Sequence, residues 1–237
     1  MYEEIHIIKY SETDYTGNLS MQGLLRIFQD IGYSHAVKQG FGVDYSRDFG
    51  CTWYLLSWDI KAIDMPHLGD EVRVCTFFYD IHGAMAKKCV LMYDSLGKCI
   101  AAADTMWAHV SIQTGQPCEP QRKIDDGDFG EKSPCIDEKP RRIAKIRAYE
   151  KGIEMLPQKL ISRYLIDTNA HANNARLTEF AMQLAGYEVD CRCLRAEFKR
   201  QVKQAATVYP VMLRTEKETL LALKDEDGVD YSVFSFS

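Results

Sequence analysis

Long hydrophobic runs are missing from this sequence. No apolar stretch approaches the roughly 18 residues that a membrane-spanning helix needs. The first residues, Met1 to Glu4, have neither the basic start nor the apolar stretch of a secretory signal peptide. The sequence therefore predicts a cytoplasmic protein without a membrane partner.

Paired cysteine motifs are missing as well. The chain has 8 cysteines among 237 residues, and none has the C-x-x-C spacing of a zinc or redox site. Cys191 and Cys193 would share one face of a strand. In a reducing cytosol the cysteines are expected to be small buried hydrophobic residues. The sequence predicts no disulfide, no metal and no cofactor.

An excess of positive charge is also absent. The formal net charge is −5 at pH 7, which argues against nucleic acid as the main partner. Basic residues cluster locally within 139–147 and 195–203. Such clusters are most often a solvated face, and the alternative is a docking patch for an acidic partner.

One stretch is unusually dense in chemical groups: Asp167-Thr-Asn-Ala-His-Ala-Asn-Asn174 has one acid, one imidazole and three carboxamides. The apolar spacing from Leu177 to Leu184 predicts a helix directly after it, which Asn173 or Asn174 can cap. Asp and Asn are ordinary turn formers and a lone His is often structural. The set exceeds what a turn needs, so a functional site is favoured.

The remaining pattern indicates an α+β fold in two similar parts. A strand at 4–10 and a helix from Ser20 to about Gln39 precede antiparallel strands from 51 to 112. Residues 113–157, with five of the seven prolines, predict a linker along the surface with a short helix near 143–153. A strand at 159–166, a helix at 175–185 and further strands follow.

The two parts align residue by residue. Placing Asp14 on Asp167 also places Asn18 on His171 and superposes the apolar helix faces, but the chemical residues differ. Duplication followed by loss of one site explains this, and chance similarity of two amphipathic helices is the competing account.

Strand, polar turn, long helix and wrapping sheet, twice over, resemble the double hotdog fold. With Asp-x-Asn-x-His-x-Asn-Asn, the chain resembles the acyl-acyl-carrier-protein (acyl-ACP) thioesterases of bacteria and plant plastids. Segments of the first half that also fit are Tyr10–Gly17, Phe28–Asp30, Gly40–Gly42, Leu68–Glu71 and Trp107. The resemblance implies an N-terminal hotdog half at 1–115, a linker at 116–157 and a C-terminal half with the catalytic motif at 158–237.

The resemblance implies hydrolysis of fatty acyl-ACP to free fatty acid, with catalytic roles for Asp167, Asn169 and His171. His171, oriented by Asp167, is the natural base for water, although Asp167 acting directly as base or nucleophile is an alternative. Asn169 and the N–H groups of residues 171–175 would stabilise the oxyanion. Asn173 and Asn174 are expected to contact substrate.

The sequence departs from the family in one place. Plant members have Glu and then Cys in the strand after the helix, where this chain has Gln201 and Val202. Gln201 can orient a water molecule but cannot remove a proton at neutral pH. The alternative is that Gln201 is a solvent-facing strand residue.

Partners follow from the implied substrate. Acyl carrier protein is acidic, and the candidate docking residues are Arg141, Arg142, Lys145, Lys199, Arg200 and Lys203. An acyl tunnel between the first helix and its sheet would be lined by Trp53, Trp58, Met65 and Phe77, unless these are plain core residues. Acyl-coenzyme A hydrolysis and non-catalytic acyl binding are the alternative functions, and both a monomeric pseudo-dimer and a homodimer are open.

Overall fold

The computed structural model describes residues 1–133, 142, 143, 145, 146, 151–186 and 191–237. The chain forms two compact units, unit 1 (Met1–Glu138) and unit 2 (Lys139–Ser237). The boundary between the units falls inside the predicted linker at 116–157.

Unit 1 contains a long helix, α1 (Met21–Lys38), and a short one, α2 (Val43–Phe49). Ser20 caps α1 because its hydroxyl accepts a hydrogen bond from the Gly23 amide at 3.0 Å. The apolar face of α1 is buried, as its spacing predicts: Leu24, Ile27, Phe28 and Ile31.

Five antiparallel strands form the sheet of unit 1: β1 (Tyr2–Ile7), β2 (Cys51–Ala62), β3 (Glu71–His82), β4 (Met85–Tyr93) and β5 (Cys99–Ser111), in the order β1-β3-β4-β5-β2. Helix α1 packs on β3, where the His35 ring lies 5.3 Å from the Phe78 ring, centroid to centroid. Side chains alternate along a strand, so Phe77 points to the opposite face. The expectation that Phe77 lines a tunnel beside α1 is therefore wrong.

A part of the predicted linker near Gly130 lies against the face of this sheet away from α1. Phe77 packs there with Cys75, Cys89 and Leu91. The Gly130 amide donates to the Phe78 carbonyl at 2.9 Å, and a Cβ on Gly130 would lie 2.6 Å from the Phe77 ring. Ser133 is buried, and Asp128 is buried on the side of α1, where its Oδ2 lies 3.1 Å from the His35 Nε2. The expectation of a linker confined to the surface is wrong for these residues, because they pack against apolar side chains of the sheet or against α1.

Unit 2 contains α3 (Asn174–Ala185) and the strands β6 (Ile153–Met155), β7 (Lys159–Leu160), β8 (Cys193–Phe198), β9 (Thr207–Arg214), β10 (Thr219–Lys224) and β11 (Asp230–Phe236). The antiparallel order is β8-β11-β10-β9, and β6 and β7 both pair with β9. Helix α3 contacts β10 and β11. In each unit, therefore, a long helix packs on an antiparallel sheet, which confirms the α+β double hotdog prediction.

Two local predictions in unit 2 need revision. The strand expected at 159–166 stops at Leu160, and a 3₁₀ turn, Arg163–Leu165, follows it. The helix expected near 143–153 falls largely outside the described residues; 151–152 form a turn and Ile153 begins β6. Ile143 and Ile146 belong to a buried cluster with Val211 and Leu220, so this stretch also contributes to a core.

Among the helices of the described residues, none combines the length and the apolar character that crossing a membrane requires.

Candidate active site

The polar stretch forms a tight turn that leads into α3. The Asp167 amide donates to the His171 carbonyl at 3.0 Å, and the Ala170 amide donates to the Asp167 carbonyl at 3.1 Å. Ala170 closes the turn with a φ of 62°, a left-handed conformation that alanine rarely adopts. The turn is therefore held by its own backbone, and its side chains are left for other contacts.

The carboxylate of Asp167 organises this turn. Its Oδ1 accepts a hydrogen bond from the Asn169 amide at 2.8 Å. Its Oδ2 lies 3.5 Å from the Asn173 side-chain nitrogen. These contacts place a negative charge at the centre of the turn and leave the Asn169 side chain exposed.

Asn173 is the cap of α3. Its side-chain oxygen accepts from the Arg176 amide at 3.2 Å, as the N-cap pattern requires. Asn174 is the first helical residue, and its carbonyl accepts from the Thr178 hydroxyl at 2.7 Å. The Asn173 carboxamide thus has a structural task, and substrate contact by either asparagine stays a prediction.

Two backbone amides predicted to stabilise an oxyanion are engaged elsewhere. The Ala172 amide donates to the Val202 carbonyl and the Asn173 amide donates to the Leu165 carbonyl, each at 2.8 Å. An N–H that already donates within the fold cannot line an oxyanion hole. The expectation is wrong for these two groups, and oxyanion stabilisation by the exposed Asn169 carboxamide stays a prediction.

His171 is half-buried at the end of the turn. Burial lowers the pKa of its imidazole below the ordinary 6.5, and the positive charge of Lys203 acts in the same direction. A hydrogen bond with the Asn169 backbone and the charge of Asp167 partly oppose this shift. At neutral pH the ring is uncharged, which is the form that can accept a proton.

The segment that follows β8 runs beside this turn. His171 and Lys203 face each other in an antiparallel bridge. Gln201 lies two residues before Lys203, beyond the end of β8, and is exposed, so it is not a strand residue. Whether it acts on water stays a prediction.

Unit 1 contains the same turn. The Asp14 amide donates to the Asn18 carbonyl at 2.8 Å, and the Gly17 amide donates to the Asp14 carbonyl at 3.1 Å. Asn18 faces His67 in an antiparallel bridge, as His171 faces Lys203. Each bond has its counterpart 153 residues later, which confirms the repeat and favours duplication over chance.

The predicted docking residues have different environments. Lys199 forms an ion pair with Asp230 at 2.9 Å, and Arg200 forms one with Asp225 at 2.8 Å. The other docking residues that the structure describes are exposed: Arg142, Lys145 and Lys203. Arg141 lies outside the described residues.

The predicted tunnel residues are packed within unit 1. The half-buried Trp53 ring lies 6.1 Å from the Phe41 ring and 5.1 Å from the His109 ring, centroid to centroid. Trp58 is buried. Both environments fit the plain core reading, and their contact with an acyl chain stays a prediction.

Arg176 is a site residue that the sequence reasoning missed. Its Nη1 donates to the Tyr164 carbonyl at 2.8 Å and to the Ile166 carbonyl at 3.3 Å. It thereby ties the first turn of α3 to the chain that enters the Asp167 turn. The signal was present in the alignment of the halves, because Arg176 occupies the position of Gly23 in unit 1.

Two hotdog units, one of which begins its helix with an Asp, Asn and His turn, define a double hotdog protein. Residues 1–124, just over half of the chain, match the model of the acyl-ACP thioesterase N-terminal domain. The chain therefore belongs to the acyl-ACP thioesterase family, which confirms the resemblance drawn from its motifs and supports a thioester hydrolase.

Solved structures show the same fold over the whole chain. An acyl-ACP thioesterase from Bacteroides thetaiotaomicron is 20% identical with a TM-score of 0.84, covering 99% of this chain and 96% of its own. A 12:0-ACP thioesterase from Umbellularia californica is 14% identical with a TM-score of 0.82, covering 100% and 96%. Among curated proteins, no sequence matches this chain. At these identities the likeness shows the fold alone.

Proposed function

We propose that this protein hydrolyses the thioester of fatty acyl-ACP, releasing free fatty acid and the carrier-protein thiol. The observation that carries the proposal is the neutral, half-buried imidazole of His171 beside the Asp167 carboxylate, in a chain of the acyl-ACP thioesterase family. The two solved structures with the same fold bear names of acyl-ACP thioesterases, which agrees with this substrate.

The reaction needs a base for water, and we assign this role to His171. Its imidazole takes one proton while the water oxygen bonds to the thioester carbonyl carbon. The carbonyl oxygen becomes an oxyanion, which the exposed Asn169 carboxamide can hold by a hydrogen bond. When the C–S bond breaks, the imidazolium returns the proton to the leaving sulfur, giving acid and thiol.

We assign Asp167 a positioning and electrostatic role, and not the role of base or nucleophile. Its Oδ1 already accepts from the Asn169 amide at 2.8 Å, which fixes the residue that holds the oxyanion. Its negative charge favours the protonated imidazole and so stabilises the charge that develops on His171. Gln201, which is exposed two residues before Lys203, is proposed to orient the attacking water.

For the carrier protein, Lys203 is the preferred contact. It is exposed and faces His171 across the bridge, so an acidic partner bound there would bring its thioester to the site. Lys199 and Arg200 are less suited, because their charges are partly neutralised by Asp230 and Asp225.

Thiol release from matched acyl-ACP and acyl-coenzyme A substrates tests the proposal. We expect faster turnover of acyl-ACP, and a loss of about 10²- to 10⁴-fold in His171→Ala, the usual contribution of a general base. Asn18→Ala, at the corresponding position of unit 1, is the matched control and should keep its activity. Faster turnover of the coenzyme A substrate would indicate an acyl-coenzyme A thioesterase, and no turnover of either would indicate a non-catalytic acyl-binding protein.

A further inference from the structure

Two thiols touch at one end of the unit 1 sheet. Cys51, the first residue of β2, has its Sγ 3.4 Å from the Sγ of Cys118, in the segment after β5. Both residues are half-buried, whereas Cys75, Cys89 and Cys191 are buried. The pair is thus partly accessible to small solutes, and its members are within reach of each other.

Backbone pairing fixes the position of both cysteines. Cys51 is paired with Ser111 in the register of β2 and β5. The chain then reverses, and the Cys118 amide donates to the His109 carbonyl at 3.0 Å while Val110 and Pro117 form a bridge. Both cysteines are therefore held next to β5 by main-chain pairing, and the contact of their sulfurs does not depend on a side-chain rotamer alone.

The imidazole of His109 completes the cluster. Its Nδ1 lies 2.8 Å from the Cys118 carbonyl, so this nitrogen carries the proton and cannot be a metal ligand. Its Nε2 lies 3.1 Å from the Tyr45 hydroxyl, which in turn accepts from the Gln121 amide at 3.0 Å. The Nδ1–H also lies 3.4 Å from the Cys118 sulfur. The imidazole therefore holds the Cys118 main chain in place beside the two sulfurs.

We propose that Cys51 and Cys118 form an oxidisable dithiol that a small peroxide converts into a disulfide. One thiolate attacks the peroxide, the O–O bond breaks, and a sulfenic acid and one water result. The second sulfur attacks the sulfenic sulfur, the S–S bond forms and a second water leaves. The protein loses two hydrogens and two electrons, and hydrogen peroxide is reduced to two waters.

The acid–base state of the pair sets the conditions of the experiment. Burial and the contact with Cys51 raise the pKa of the Cys118 thiol to about 11. The thiolate is therefore scarce at neutral pH and oxidation is slow, so the protein rests as the dithiol until peroxide is in excess. This inference is independent of the proposed thioester hydrolysis.

Peptide mapping of the intact chain tests the proposal. The reduced protein is treated with hydrogen peroxide, its remaining thiols are alkylated, and it is digested with trypsin. Cleavage after Arg47, Lys61, Lys98 and Arg122 separates Cys51, in 48–61, from Cys118, in 99–122. We expect these two peptides as one linked species, two hydrogens lighter than their sum, with Cys99 alkylated. Dithiothreitol should separate them again.

Variants make the assignment specific. Cys118→Ser should abolish the linked species, and Cys193→Ser, which removes a half-buried thiol elsewhere, should leave it unchanged. Because the wild-type digest is informative by itself, a variant that fails to fold does not remove the test. The proposal is overturned if wild-type Cys51 and Cys118 stay alkylatable after peroxide treatment, or if either is oxidised only to sulfinic acid without a link.

Discussion

The turn at Asp14 in unit 1 and the turn at Asp167 in unit 2 have the same main-chain hydrogen bonds and differ in their side chains. In both, the residue after the turn donates its amide to the carbonyl of the residue preceding it by eight positions, Ser20 to Glu12 at 2.9 Å and Asn173 to Leu165 at 2.8 Å. Four residues after the Asp, unit 1 has Asn18 and unit 2 has His171. The geometry of the turn is thus independent of its chemistry, and the side chains at two positions, Thr16 against Asn169 and Asn18 against His171, separate a structural turn from a candidate active site.

The helices of the two units approach their turns differently. A Cβ on Gly23 would lie 2.2 Å from the Glu12 carbonyl oxygen, so glycine is required for that close contact in unit 1. At the same position in unit 2, Arg176 spans to the Tyr164 and Ile166 carbonyls. The first turn is fixed by contact of main chains and the second by a long side chain, which can be removed by mutation.

The largest expected effect comes from exchanging the residues at positions 18 and 171, each for the residue that the other turn has. We expect His171→Asn to lose about 10²- to 10⁴-fold in kcat/KM for acyl-ACP, because the base is gone while the turn persists. Asn18→His should leave kcat/KM within about twofold of the wild type, because the rest of the unit 2 site is untouched. Steady-state thiol release measures both. If adding Asn18→His to the His171→Asn variant restored its activity, the assignment of the general base to the turn of unit 2 alone would be refuted.

A smaller effect, on stability, is expected where the helices meet the turns. Gly23→Ala should destabilise unit 1 by about 2–3 kcal/mol, because the added methyl forces main chains apart. Arg176→Ala should cost about 1 kcal/mol, because it removes hydrogen bonds from a partly exposed guanidinium. Urea unfolding followed by circular dichroism compares the two. Equal urea midpoints for the two variants would contradict the claim that Gly23 and Arg176 fix their turns by different contacts.

The smallest effect concerns the left-handed residue of each turn. Ala170 has a φ of 62° where unit 1 has Gly17, with a φ of 85°. Ala170→Gly should raise the melting temperature slightly. The substitution relieves backbone strain of roughly 1 kcal/mol, and the greater conformational entropy of glycine in the unfolded chain offsets most of this gain. Gly17→Ala should lower it, because its Cβ would lie 2.7 Å from the His67 Nε2. A higher melting temperature for Gly17→Ala would show that the two turns differ in backbone after all.

Much of this comparison was accessible from the sequence. The sequence predicted the antiparallel strands between residues 51 and 112, and the caps at Ser20 and Asn173 predicted where the two long helices begin. The spacing of Asp14 and Asp167 predicted the repeat, because a duplicated fold keeps its turn residues in register.

Other features depend on tertiary contacts that no local pattern records. Gly130 lies in a stretch that looks like a linker, and only the packing of Phe77 beneath it shows that this stretch covers a sheet. The amides of Ala172 and Asn173 looked available at a helix start, but they donate to the carbonyls of Val202 and Leu165. An isolated backbone bridge outside the strands also places Lys203 opposite His171, and no local sequence pattern indicates such a pairing.

The pH dependence of kcat/KM for acyl-ACP tests the central claim most directly. Because the pKa of His171 is lowered from 6.5, its neutral form should dominate at pH 7, and activity should fall tenfold per pH unit only at pH values below 6.5. This acidic limb should disappear from the residual activity of His171→Asn. An acidic limb with the same midpoint in that variant would contradict the account, because another group would then be the base.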